Sequence, residues 1–126
     1  MAEALRLGLV GAGAISQAYI KALEGSSIAR WAGLADVRAE AARAAAETMD
    51  CPAFTDYQDL ADKAGADAVI ICTPPATHTE IALYFIERGI PVLCEKPLSV
   101  DVDGAKAIVD AAERKGVVLA MASKFR

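Results

Sequence analysis

The chain has 126 residues, enough for one domain that buries a core without disulfides or metals. Hydrophobic residues make up 55% of it and charged residues 24%, a balance that excludes an intrinsically disordered chain. Thirteen Lys and Arg against seventeen Asp and Glu leave a formal net charge of −4, with no basic stripe for nucleic acid, and no run of about 18 apolar residues reads as a membrane span.

The segment Leu5–Val10 reads as a first strand. A short apolar stretch after Arg6 superficially resembles a signal peptide, but Gly8, Gly11 and Gly13 interrupt it and fit a strand-to-helix turn better. That turn, Gly11-Ala12-Gly13-Ala14-Ile15-Ser16, opens a helix expected over residues 14–24, with Gly25 as its stop. The first glycine permits a tight turn, and the second lets backbone approach a pyrophosphate seated on the free N–H groups of the helix start. Ser16 stands where a third glycine is usual, and is small enough for close helix–strand packing.

A second strand, 28–35, holds the only tryptophan, Trp31, in a packing role and ends on Asp36. A carboxylate a little over twenty residues past the glycines can accept hydrogen bonds from ribose hydroxyls, or simply cap the next helix. The ribose reading favours NAD, since a 2′-phosphate would face the Asp36 charge. Arg38 could partner such a phosphate, which keeps NADP open. A helix over 38–49 follows, with Arg43 and Glu47 spaced to pair across one turn. Then come a weak third strand at 53–54, a short helix over 57–63, and the continuous apolar run 68–72 of a central parallel strand.

After that strand stands Cys72-Thr73-Pro74-Pro75-Ala76-Thr77-His78, a rigid turn at the sheet's carboxyl edge, where ligands bind. Pro75 starts a helix to about residue 88, with His78 in its first turn as either a site residue or an exposed or capped side chain. The fifth strand, 91–94, leads to Glu95-Lys96-Pro97. A carboxylate and an ammonium there could bind a ribose and a substrate hydroxyl, or form an ordinary solvated pair. Ser99 is the expected cap of the last helix, with Asp101 and Asp103 in its first turn and Ala105, Ile108, Val109 and Ala112 as its core face. Gly116 ends that helix and 117–122 forms a sixth strand. The expected fold is α/β, a doubly wound parallel sheet (Rossmann) of six strands in the order 3-2-1-4-5-6, with all of residues 1–126 in one dinucleotide-binding domain. Cys51, Cys72 and Cys94 form no CxxC pair and His78 is alone, so the cysteines read as reduced thiols, with no metal site and a cytoplasmic location.

The elements GAGAIS, CTPPATH and EKP, in this order and spacing, resemble the Gfo/Idh/MocA oxidoreductases over nearly the whole chain. The resemblance implies that Gly11, Gly13, Ala14 and Ile15 surround the pyrophosphate of NAD or NADP and that Asp36 takes the adenosine ribose. It implies further that Thr73, Pro74 and His78 border the nicotinamide, that Glu95 approaches the nicotinamide ribose, and that Lys96 is catalytic, touching the reacting oxygen. The substrate would be a sugar, inositol or related polyol. A C-terminal substrate domain, absent from this chain, would complete a homo-oligomeric parent enzyme, and the chain alone would be inactive. Two other readings remain: a dinucleotide-binding sensor module, and a Rossmann dehydrogenase acting on amino-acid semialdehydes or imines.

Overall fold

The computed structural model describes residues 3–122. Strands and helices alternate along them: β1 (Leu5–Val10), α1 (Ala14–Ala22), β2 (Ala29–Ala35), α2 (Ala39–Met49), β3 (Ala53–Phe54), α3 (Tyr57–Lys63), β4 (Ala68–Ile71), α4 (His78–Glu87), β5 (Val92–Glu95), α5 (Val102–Lys115) and β6 (Leu119–Ala122). The six strands form one sheet in the order β3-β2-β1-β4-β5-β6, with parallel pairing throughout. The expected strand order is therefore the observed one. Because the chain runs outward from β1 to β3 and then returns to β4, β1 and β4 are neighbours with helices leaving them toward opposite faces. Val10 and Ile71 are paired at that reversal, and a crevice opens beyond them.

Two apolar layers hold the sheet. On one side Leu7, Leu9, Leu34 and Ile70 pack with Ile20 of α1 and Ala42, Ala45 and Met49 of α2. Trp31 joins this layer as a half-buried side chain. The other layer packs Val69, Ile71, Val92 and Cys94 against α3, α4 and α5 through Leu60, Phe85, Ile86 and Ile108. Small residues in the strands let α3 approach: a Cβ on Gly33 would lie 2.8 Å from Leu60 Cδ1, and Leu60 is fully buried. The β1–β2 register also slips between Leu7 and Gly8, leaving Ala32 as an extra residue in β2.

Several local expectations change. The segment after β4 is one 3₁₀ turn, Pro75–Thr77, before α4 begins at His78. The cap of α5 is Asp101, whose Oδ1 accepts from the Gly104 N–H at 2.6 Å. Ser99 instead bonds the Thr79 hydroxyl at 2.9 Å, tying the start of α5 to α4. On α5, Ala111 takes the core position expected of Val109, which is exposed. Arg43 and Glu47 are not among the ion pairs formed by the described residues. Among those residues no helix is long and apolar enough to cross a membrane.

Candidate cofactor site

The glycine turn is built for closeness at one position and for openness at the next. Gly11 has φ of 106°, a backbone region that disfavours side chains, and its N–H donates to the Ala35 carbonyl at 2.7 Å. A Cβ there would sit 2.8 Å from the Cys72 carbonyl oxygen, so the residue lets the ends of β1 and β4 come together. Gly13 is the N-cap of α1 with an ordinary φ of −83°, no side-chain cap, and nothing within 4 Å of a built Cβ. The first amides of α1, at Ala14 and Ile15, therefore open on a cavity with no side chain seated on them. A helix N-terminus of this kind attracts an anion. Ser16 is fully buried behind it and its hydroxyl donates to the Gly13 carbonyl at 2.6 Å, so the departure from glycine is satisfied internally.

Asp36 stands on the adjoining wall, its side chain only 8% exposed. One oxygen accepts from the Ala12 N–H at 2.7 Å, which ties the acid to the glycine turn. The Arg38 N–H reaches the other at 2.8 Å, and the Arg38 guanidinium grips both oxygens at 3.0 Å. Burial by itself would raise the carboxyl's pKa. The Arg38 side chain and the two backbone donors outweigh it and hold the group below the usual aspartate range. Asp36 is thus an anion bonded directly to the glycine turn, and one already paired with a guanidinium whose side chain is 62% exposed.

Between these walls lies a cavity of ≈ 630 Å³. Gly11, Gly13, Ala14, Ile15, Asp36, Thr73 and Pro74 all line it, which brings together seven of the ten residues the sequence singled out. An open cradle at Gly13, uncapped helix amides and a nearly buried acid suit the pyrophosphate and ribose of a dinucleotide. Tyr57 and Glu80 also line the cavity, and they are joined by a 2.6 Å hydrogen bond. Sequence reasoning passed over both, because neither belongs to a motif. Their one signal is a position at the start of a helix on the carboxyl edge of the sheet.

His78, Glu95 and Lys96 lie outside that cavity. His78 is neither exposed nor a lining residue: it is fully buried, with Nδ1 2.8 Å from the Pro97 carbonyl and Nε2 2.8 Å from the Thr73 carbonyl. It clamps the loop after β4 to the loop after β5 from beneath. Glu95, at the end of β5, accepts a hydrogen bond from the hydroxyl of Tyr19 on α1, another residue without a sequence signal. Burial and this carboxylate push the Tyr19 hydroxyl's pKa up, so it remains a donor. Lys96 is exposed at the same edge. Cys72 and Cys94 are free thiols pushed up to about 12, chiefly by burial, and Cys51 to about 11. None of them is a thiolate at neutral pH.

A parallel sheet in this order, with a glycine turn at the strand reversal and an acid at the end of β2, defines a dinucleotide-binding Rossmann domain. The chain belongs to the Gfo/Idh/MocA family: the model of that oxidoreductase family's NAD-binding Rossmann fold matches residues 5–123. It is 34% identical over 118 residues to the inositol 2-dehydrogenase of Klebsiella pneumoniae strain 342, covering 89% of this chain and 34% of the relative. A dehydrogenase from Bordetella pertussis, WlbA, solved with NADH and UDP-GlcNAcA, superposes with a TM-score of 0.91 at 30% identity, over 94% of this chain and 37% of that one. A 3-ketoreductase from Actinomadura kijaniata, solved with TDP-benzene and NADP, gives 0.86 at 26% identity, over 92% and 37% of the two chains. The chain spans about a third of the length of the curated relatives it matches.

Proposed function

We propose that this chain is the cofactor half of a dehydrogenase that moves a hydride between a nicotinamide ring and a secondary alcohol carbon of a sugar, inositol or related polyol. A second domain of the parent protein would bind the substrate. The observation that carries the reading is the joint presence, on one carboxyl edge, of the open Gly13 cradle, the anionic Asp36 and the exposed Lys96. The relatives support the substrate class, being an inositol dehydrogenase and a dehydrogenase solved with UDP-GlcNAcA.

The roles follow from the chemistry of each group. Amides of Ala14 and Ile15 bind the pyrophosphate, with Gly11 and Gly13 leaving room for it. Asp36 accepts from the adenosine ribose once Arg38 moves aside, and favours NAD. Arg38 would turn to a 2′-phosphate if NADP were offered. Thr73 and Pro74 border the nicotinamide half, held in place by the His78 clamp beneath them. Glu95, oriented by Tyr19, accepts from the nicotinamide ribose. Lys96 donates a hydrogen bond to the substrate oxygen, stabilising the negative charge that develops on it as the alcohol loses its proton or as the carbonyl carbon takes the hydride. The nicotinamide, when bound, supplies the hydride chemistry itself.

The test is Lys96→Met in the intact parent enzyme, assayed with inositols and sugars by NADH absorbance. Loss of kcat by about 100-fold or more, with NAD affinity held within a few fold, supports the assignment. Unchanged kcat returns Lys96 to an ordinary loop lysine. The 126-residue chain should bind NAD without turning over any polyol, since positioning of the alcohol carbon is worth about 7–11 kcal/mol of a barrier and must come from a second wall.

A further inference from the structure

The cavity extends past Asp36 to Thr55, Tyr57 and Glu80. Asp36 follows β2; one strand further out, Thr55 and Tyr57 follow β3, and across from them Glu80 sits in the first turn of α4. A nucleotide whose phosphate rests on α1 and whose ribose rests on Asp36 directs its base away from the phosphate, into this end.

The Glu80 side chain, exposed at this end, is tethered by one hydrogen bond. Its Oε2 accepts from the Tyr57 hydroxyl at 2.6 Å. The Tyr57 ring is fixed in turn by edge-on contact with Tyr84, centroids 5.4 Å apart, and by a tilted contact with Phe85 at 6.3 Å. Burial and the bond to Glu80 push the Tyr57 hydroxyl's pKa up to about 12, so it stays a donor at neutral pH. Among the described residues no donor reaches the second oxygen, Oε1. A carboxylate at the exposed rim of the cavity, with one oxygen held by Tyr57 and the other open, can accept from a hydrogen-bond donor on a ligand seated there.

We propose that Glu80, positioned by Tyr57, reads the base of the cofactor by accepting a hydrogen bond from the exocyclic 6-amino group of adenine. This rests on the dinucleotide reading of the cavity and adds a base-selective subsite to it. The group makes a directional demand. Adenine presents an amino donor at that position, whereas hypoxanthine and guanine present a 6-oxo acceptor, which a carboxylate repels. Binding of the adenine dinucleotide therefore gains a charge-assisted hydrogen bond that the 6-oxo analogues replace with lone-pair opposition.

The experiment is a calorimetric titration of the full chain with NADH and with reduced nicotinamide hypoxanthine dinucleotide, repeated for Glu80→Gln and Tyr57→Phe. The expected preference of the unmodified chain for NADH is about tenfold or more. Glu80→Gln, whose amide can present either a donor or an acceptor, should bring the two affinities within about twofold of each other. Tyr57→Phe should shrink the preference while leaving the affinity for the hypoxanthine analogue unchanged, which a general loss of packing would not do. Equal binding of both dinucleotides by the unmodified chain overturns the proposal, as does a preference that survives Glu80→Gln. A folded chain that binds neither dinucleotide overturns the reading of the cavity itself, and the base assignment with it.

Discussion

Gly11 and Gly13 stand two residues apart in one turn, yet their replacement should fail in opposite ways. At Gly13 the backbone is ordinary and a built Cβ meets nothing within 4 Å. Gly13→Val should therefore leave the fold standing, at a cost of about 1 kcal/mol for a poorer N-cap residue. Its side chain must project into the space over the Ala14 and Ile15 amides. If two charge-assisted hydrogen bonds to phosphate are lost at about 1.5–3 kcal/mol each, affinity for NADH should fall by more than 100-fold. At Gly11 the φ of 106° and a 2.8 Å approach to the Cys72 carbonyl leave no room for even a methyl group. Gly11→Ala combines backbone strain of about 1–3 kcal/mol with overpacking of similar size, a large part of a typical domain's stability. Thermal unfolding and NADH titration of both variants make the comparison. Gly13→Val with near-parental Tm and parental affinity would refute the phosphate assignment, and a fully stable Gly11→Ala would refute the close β1–β4 approach.

Other positions carry consequences of different kinds. Asp36→Ser should weaken NAD and narrow or reverse the gap to NADP, as Arg38 is freed from its carboxylate; tighter NADP than NAD binding by the unmodified chain would make Arg38 the dominant reader. The depressed Asp36 pKa means its contribution to stability is present above the ordinary aspartate range and is lost as pH falls through the lower folded value. Asp36→Asn should accordingly be less stable at neutral pH and lose less on acidification, as followed by urea melts from neutral to acid pH. Leu60→Ala should cost about 2–5 kcal/mol in the same assay, because Leu60 is fully buried against the glycines of β1 and β2; a cost under about 1 kcal/mol would contradict that packing. Tyr19→Phe frees Glu95 from its donor and should weaken NAD while sparing ADP-ribose, and equal losses for both ligands would make Tyr19 a packing residue only.

The sheet was legible because its signals are local. Apolar runs such as Val69–Ile71, the glycines around α1 and the acid after β2 each announce an element or a site from a few neighbouring residues. Where two local rules competed, sequence could not arbitrate. Ser99 and Asp101 are both good caps, and the choice fell to Asp101 because the Ser99 hydroxyl is engaged by Thr79 on another helix. On α5 the expected face was turned by about one residue, since Ala111 joins the buried layer that holds Phe85 and Ile86 of α4 while Val109 stays exposed. Site residues outside the motifs were illegible because their partners are distant in sequence: Tyr19 meets Glu95 of the EKP element across 76 residues. His78 was singled out, but its burial as a clamp depends on carbonyls from two separate loops.

One dinucleotide is expected to run along the carboxyl edge from the Glu80 end of the cavity, over the α1 amides, to Lys96. Amide chemical-shift mapping of the labelled chain with ADP-ribose and with NAD tests it most directly. Both ligands should move the signals of Ala12–Ile15 and Val37, and only NAD should move those of Glu95 and Lys96. Shifts at Glu95 and Lys96 that are absent with saturating NAD, or the same with ADP-ribose, would rule out that path for the cofactor.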